Sequence, residues 1–362
     1  MECMKRIHLV VTTDLVHDQR MLRIAHSLQK SGYDVTLVGR KKSTSASIPV
    51  LPFTSIRFGI RLQKGPFFYL LFNLRVLVWL LFQKTDIISA ADLDSLPGAW
   101  LAAKIKGNTI VFDAHELFTE VPELSERKLV KKIWLGLEHF FLKRVHAGYT
   151  VNHSLQKWYA DKYGVTFKVV RNVPIASPSI PVEQGNFILY QGAVNAGRGL
   201  EWLIPACVRA QIPCVIAGHG DLFDELRGLT EKNDWGNYIS FVGQLPPYEL
   251  KFLTQRAWLG VNLLEAKSAN YFFSLANKFF DYVQAGVPQL CMDFPEYRYL
   301  NEQFEVAYLT NGNSETAVYE DLIRICADQA GYQKRALNCT LASKEWNWEQ
   351  EEKELLSVYE LF

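Results

Sequence analysis

Short apolar runs alternate with amphipathic stretches along most of the chain. The run Ile7–Thr12 is followed by a helical pattern from Asp18 to Lys30, which Gly32 stops before the apolar run Asp34–Gly39. The run Asp86–Ala90 precedes a helix over 95–106 and the strand-like Asn108–Ala114. A helical pattern over 126–145 leads to Ala147–Asn152, then to a helix over 154–163 and the run Phe167–Asn172. Strand and helix alternating at this spacing predict βαβ units and a parallel sheet covered on both faces. The pattern breaks at 172–186, "NVPIASPSIPVEQGN", which is rich in proline, low in charge and reads as a linker. It then restarts with "FILYQG", "PCVIAG", "YISFVG", "LGVNLL" and "PQLCM", each followed or preceded by a helical stretch. The expected organisation is two doubly wound α/β domains, 1–175 and 183–342, and a terminal helix over 343–362. That helix carries a stripe of Trp346, Trp348, Leu355, Leu356, Tyr359 and Phe362, long enough to cross back to the first domain.

With 362 residues the chain is long enough for two cores. A composition of 49% hydrophobic and 21% charged residues with net charge +1 argues against disorder and against a nucleic-acid partner. The cysteines, Cys3, Cys207, Cys214, Cys291, Cys326 and Cys339, form no CxxC pair and no zinc spacing, so they read as single thiols in a reducing cytoplasm, and no metal site is expected. The first residues lack the long apolar stretch and cleavage site of a signal peptide. The apolar segment Pro66–Lys84 is short for a membrane span and is interrupted by Asn73 and Arg75. It reads as a helix, either buried against a sheet or also leaning on a membrane surface through Arg57, Arg61, Lys64, Arg75 and Lys84.

The candidate chemistry lies at strand-to-helix turns, where open parallel sheets bind ligands. In "YQGAVNAGRGLEWL", Gly192, Gly197 and Gly199 allow close backbone approach, and Arg198 adds a charged fork suited to phosphate oxygens. "IAGHGDLFDELR" repeats the device with Gly218 and Gly220, and with Asp221 as a helix cap. In "SLANKFFDYVQAGVPQ", Ser274–Asn277 would form a first helical turn with free backbone donors, and Lys278 just inside it adds a cation. Asp281, one turn on, is placed to accept hydrogen bonds from ribose hydroxyls. The alternative is a surface ion pair between Lys278 and Asp281. In "IVFDAHELF", Asp113, His115 and Glu116 end a strand and suit polar contacts to a substrate. The first strand lacks a GxGxxG turn; Asp14, Asp18 and Arg20 occupy its loop.

These landmarks, with "ADLDSLPGAWLAAK" and "VVRNVP", occur in an order that resembles the retaining family-4 glycosyltransferases over nearly the whole length. The resemblance implies the GT-B fold: two Rossmann-like domains facing a cleft, with the terminal helix packing back on the first. It implies a nucleotide-diphosphate sugar as donor substrate, no separate cofactor and no metal, and transfer to a glycan or lipid-linked acceptor in cell-surface polysaccharide or glycolipid synthesis. Arg198 and Lys278 match diphosphate-binding positions, Asp281 the ribose-binding acid, and His115 a histidine that contacts the donor sugar; the catalytic set is then His115, Arg198 and Lys278. The family's first acid falls on Phe273, and its usual base after the strand glycine on Ala193. The implied location is the cytoplasm, with peripheral attachment to the cytoplasmic face of the membrane as a further expectation. A sugar-nucleotide epimerase on the same fold, or a non-catalytic glycosyltransferase-like scaffold, stays open as an alternative.

Overall fold

Among the described residues every strand pairing is parallel, in two separate sheets. The structure is a computed structural model, and it describes residues 4–16, 18–62, 64–125, 127–176 and 183–362. Cys3 and residues 177–182 of the proline-rich connection lie outside the described residues. The chain divides into two compact units, one of Met1–Asn172 with Glu351–Phe362, the other of Val173–Gln350.

The sheet of the first unit contains β1 (Arg6–Asp14), β2 (Asp34–Lys41), β3 (Thr54–Gly59), β4 (Ile87–Ala91), β5 (Thr109–Ala114), β6 (Ala147–Thr150) and β7 (Lys168–Val169). Their order is β3-β2-β1-β4-β5-β6-β7. The second unit contains β8 (Ile188–Gln191), β9 (Cys214–Ala217), β10 (Ile239–Gly243), β11 (Leu259–Asn262), β12 (Gln289–Met292) and β13 (Ala307–Thr310). Their order, β10-β9-β8-β11-β12-β13, repeats the arrangement of the first. Both are doubly wound Rossmann-like sheets in which the strand order reverses beside the first strand of the unit. Central strands are apolar almost throughout: β1 is buried from Ile7 to Thr12, and every residue of β4 is buried. That continuity is what a parallel sheet covered on both faces requires.

Two strands are absent from the apolar pattern. The edge strand β3, "TSIRFG", buries only Phe58 and so carries no apolar run. The strand β13, "AYLT", lies at the edge of the second sheet. The apolar segment from Pro66 forms a helix, Pro66–Leu81, that buries Phe68, Phe72, Val76 and Leu80 at four-residue spacing. Trp79 also turns inward, edge-on to His8 and Phe58 at 5.0 and 6.1 Å between ring centres. Phe67, Leu70, Leu71, Leu74, Val78 and Phe82 remain exposed. Among the described residues no helix is long and apolar enough to cross a membrane.

The last helix, Trp348–Tyr359, belongs to both units. The division falls at Glu351 rather than at 343, because Trp346 is buried against Phe279, Phe280 and Phe304 of the second unit. From Glu351 onward the helix serves the first unit. Glu351 accepts from the Arg171 guanidinium and backbone N–H, both at 2.7 Å. The fully buried Tyr359 donates to Ser89 Oγ at 2.9 Å, and its oxygen lies 3.3 Å from the Tyr149 hydroxyl. Tyr359→Ala is expected to destabilise the first unit by about 3–5 kcal/mol, as large core truncations do. Tyr359→Phe should cost about 1 kcal/mol through its lost hydrogen bonds. Urea unfolding followed by tyrosine and tryptophan fluorescence measures both.

Candidate active site

Ligands of open parallel sheets bind beyond the carboxyl ends of the strands, where the strand order reverses. In the second unit that point is the end of β8, between β9 and β11. The turn after β8 runs from Gly192 to Gly199, and the turn after β9 lies directly on it. Gly192 N–H donates to Ala217 O at 2.9 Å, and Val194 N–H to His219 O at 3.2 Å. Gly218 adopts φ +147°, and a Cβ there would stand 1.8 Å from Gly192 O, so no other residue fits. Gly220 packs on Val194 and Asn195, whose Oδ1 accepts the Asp221 N–H at 3.0 Å. Asp221 does not cap the next helix, which starts at Phe223 with Leu222 in the cap position; the Asn195 amide orders this turn instead. Gly199, in the left-handed region, caps the helix Leu200–Ala210 and abuts the Leu263 side chain at the end of β11.

Arg198 projects from this turn with its guanidinium 5.3 Å from the centre of the Tyr271 ring. Its Nε is buried and has no partner among the described residues. Lys278, in the first turn of the helix Asn277–Gln284, places its ammonium 3.9 Å from the centre of the Tyr190 ring. Among the described residues it has no ion pair, so the expected alternative of a Lys278–Asp281 surface pair is not formed. Asp281 Oδ2 instead accepts from Gln191 Nε2 at 2.9 Å, and Gln191 Oε1 accepts from the Thr254 hydroxyl at 2.7 Å. Burial, reinforced by the Arg198 charge, pulls the Lys278 ammonium down to about 7. Ser274 is committed to Tyr271 O at 2.8 Å, and Asn277 opens the helix on the exposed side. Gly197 joins the two segments by accepting the Glu265 N–H at 3.0 Å.

In the first unit, the reversal point lies at β1 and β4. Asp113, fully buried at the end of β5, accepts from Arg20 Nη2 at 2.9 Å and lies 2.8 Å from His115 Nε2. The other ring nitrogen of His115, Nδ1, is 3.3 Å from Asp92 Oδ2. Asp92 Oδ1 accepts the His115 backbone N–H at 2.9 Å. Burial opposes charge on the imidazole, but Asp113 and Asp92 outweigh it and hold His115 well above its ordinary value. Burial likewise opposes the Asp113 carboxylate, yet Arg20 and His115 hold it down at about 2. At neutral pH His115 is therefore an imidazolium with both N–H groups committed. It has no lone pair for proton abstraction and acts by charge and by orienting Asp92. Of the other polar residues noted in the sequence here, Asp18 caps the helix Gln19–Lys30, and Asp14 pairs with Arg57 and Ser45. The Glu116 carbonyl accepts from Tyr159 at 3.1 Å.

Tyr190, Tyr271 and Asp92 carry no motif signal, because their roles come from ring and carboxylate placement across segments distant in sequence. Among the described residues no group of three or more His, Cys, Asp or Glu side chains is placed to hold a metal ion.

Residues 19–174 match Glycosyltransferase Family 4. Over 99% of this chain the fold is that of a sucrose-phosphate synthase from Thermosynechococcus elongatus, with a TM-score of 0.80, 17% identity and 98% of that chain covered. An Anabaena HepE in complex with UDP-glucose aligns over 99% of this chain and 100% of its own, at TM-score 0.76 and 12% identity. WaaG, a glycosyltransferase involved in lipopolysaccharide biosynthesis, aligns over 97% and 99%, at TM-score 0.76 and 14% identity. The curated proteins give no sequence match. These structures establish the GT-B fold class of the two sheets. The family match over residues 19–174 makes the protein a glycosyltransferase, a transferase of the EC 2.4 class.

A half-buried lysine titrating near 7 leaves the folded state with fewer bound protons than the unfolded chain between that pH and the ordinary lysine value, so stability rises with pH across this window. Lys278→Met removes this charge. It is expected to raise the urea midpoint more at pH 6 than at pH 9; an equal or opposite effect at the two pH values contradicts this picture of the ammonium.

Proposed function

We propose that the protein transfers a sugar, with retention, from a nucleotide-diphosphate sugar to a glycan or lipid-linked acceptor in cell-surface polysaccharide or glycolipid synthesis. The observation that carries this reading is the pair of half-buried cations, Arg198 and Lys278, on glycine-rich and helix-initial turns of one sheet. Two neighbouring cations drawn partly out of water without an ion pair are favoured by an anion that completes them. A diphosphate supplies two or more negative charges and geometry suited to the guanidinium fork. The binding of UDP-glucose by HepE, of similar fold, supports the same ligand class.

In the reaction so read, the bond from the anomeric carbon to the β-phosphate oxygen breaks as the acceptor oxygen bonds to that carbon on the same face. The acceptor proton passes to the departing phosphate. Arg198, Lys278 and the nearby helix start then act by stabilising the negative charge that grows on the diphosphate. Gly197, Gly199, Gly218 and Gly220 keep the backbone open to it, Ser274 and Asn277 border it, and Asp281, held by Gln191, receives the ribose hydroxyls. His115 contributes a fixed positive charge.

Isothermal titration with UDP, GDP and ADP in buffers of different ionisation enthalpy tests the binding claim. Binding at pH 8 should take up protons, because the diphosphate raises the Lys278 ammonium from about 7. Arg198→Ala and Lys278→Ala should each weaken the bound nucleotide by about 10–100-fold, as loss of a charge-assisted contact does. Unchanged affinity in both variants would remove the site.

The acceptor's lipid link is read from the helix Pro66–Leu81, whose outer row of Phe67, Leu70, Leu74 and Val78 is exposed beside Arg61, Lys64 and Lys84. Arg57 leaves this basic set, since it pairs with Asp14 at 3.5 Å. Phe67→Glu combined with Leu74→Glu is expected to abolish co-sedimentation with vesicles of phosphatidylglycerol and phosphatidylethanolamine. Wild-type protein that stays in the supernatant defeats the membrane reading.

A further inference from the structure

Lys278 and Asp281 stand one turn apart on the helix Asn277–Gln284, a spacing at which opposite charges ordinarily meet. Among the described residues they form no ion pair: each is drawn to a different residue at the end of β8. The ammonium reaches over Gly192, where a Cβ would stand 3.5 Å from Lys278 Cε and 3.6 Å from its Nζ. The carboxylate goes to the residue before, where Gln191 Nε2 donates to Asp281 Oδ2 at 2.9 Å. Gln191 is buried, whereas Asp281 and Lys278 are half-buried.

The direction of the Gln191 amide is fixed from both ends. An ionised carboxylate only accepts, so the NH2 group faces Asp281. Its Oε1 is thereby turned to the hydroxyl of Thr254, 2.7 Å away, which can donate. Thr254 is buried on the helix Pro247–Arg256 and also lies 2.7 Å from Leu250 O, so its hydrogen has two acceptors.

We propose that Gln191 is a positioning residue that holds Asp281 off Lys278 and so reserves the ammonium for an anionic ligand, with Thr254 setting the direction of the amide. Without the Gln191 hydrogen bond the carboxylate can turn to the ammonium one helical turn away, and an anion then competes with a tethered carboxylate. The charged and titratable groups around the ammonium are Arg198 on the turn after β8, Cys291 on β12, Asp281 on its own helix and the Tyr190 ring on β8. Burial and Arg198 favour its neutral form, so the direction in which Asp281 points sets how far the ammonium is held down. That the anion is a diphosphate rests on the reading above; the separation of the two charges does not.

Two measurements on the full chain test it. The first needs no ligand: the titration midpoint of Lys278, followed by NMR of protein carrying isotope-labelled lysine and assigned with Lys278→Arg. Gln191→Met, which keeps the length of the side chain and removes its polar end, should move the midpoint upward from about 7 by about one pH unit or more. Thr254→Val should move it the same way by less, because the amide stays beside Asp281. Gln191→Met combined with Asp281→Asn should return it to the wild-type value or below. The second is isothermal titration with inorganic pyrophosphate at pH 7. Gln191→Met should weaken binding about tenfold, as loss of a charge-assisted contact does, and adding Asp281→Asn should restore it. A merely structural fault at Gln191 would not be cured by a second substitution. An unmoved midpoint in Gln191→Met overturns the proposal, as does pyrophosphate affinity that is lost in Gln191→Met and stays lost in the double variant. Should Gln191→Met fail to fold, the midpoint in Thr254→Val decides, and an unmoved value there overturns the proposal. A wild type that binds neither pyrophosphate nor UDP, GDP or ADP, with the midpoint still rising in Gln191→Met, defeats the diphosphate reading and leaves the charge separation standing.

Discussion

The second unit gathers two half-buried cations at its strand ends, and among the described residues neither is ion-paired. Lys278 lies over the Tyr190 ring and Arg198 near the Tyr271 ring, so each cation has an aromatic neighbour rather than a carboxylate. Ring quadrupoles offset part of the desolvation, on the order of 1–2 kcal/mol, well short of what an ion pair in a dry site supplies. Asp281 could have neutralised Lys278 one helical turn away. It is instead turned to Gln191, and Gln191 to Thr254, which keeps the cation open. The contact between Gly218 and Gly192 then has a clear purpose. It packs two strand-end turns so closely that no Cβ fits at Gly218.

The first unit has the same strand order and the opposite electrostatics. Its charges at the reversal point are closed in a chain: Arg20 to Asp113, Asp113 to His115, His115 to Asp92. The pairings shift Arg20, Asp113 and His115 toward their charged forms. The repeated topology therefore does not fix the chemistry; the residues at the strand ends do. One unit leaves its cations without ion pairs among the described residues, and the other closes its charges in a chain.

Much of this was legible in the sequence because periodicity reports burial directly. Continuous apolar runs at βαβ spacing announced parallel sheets, and β1, β4 and β5 appear where the runs stand. The strands β3 and β13, both at sheet edges, were not read; β3 is only half-buried and carries no apolar run. Glycine and lysine at the turns of the second unit could be read because backbone freedom and charge are local properties. Asp92 and Asp94 could not. The quoted "ADLDSL" looks like an ordinary polar turn, and only the fold brings His115 to one aspartate and Thr12 to the other. The basic cluster near the apolar helix was overread for the same reason: Arg57 is spoken for by Asp14, a partner far away in sequence.

The histidine illustrates how far position alone determines role. A neutral imidazole in a polar pocket would be read as a proton acceptor. With a carboxylate at each nitrogen, the ring is favoured as a cation, and deprotonating it would leave Asp92 and Asp113 repelling each other across a neutral ring. Arg20 strengthens this arrangement from behind by anchoring Asp113, with a further bond from its Nη1 to Val170 O at 3.1 Å. Asp92, at the end of the chain, is held in place by the same charge that keeps the histidine from accepting a proton.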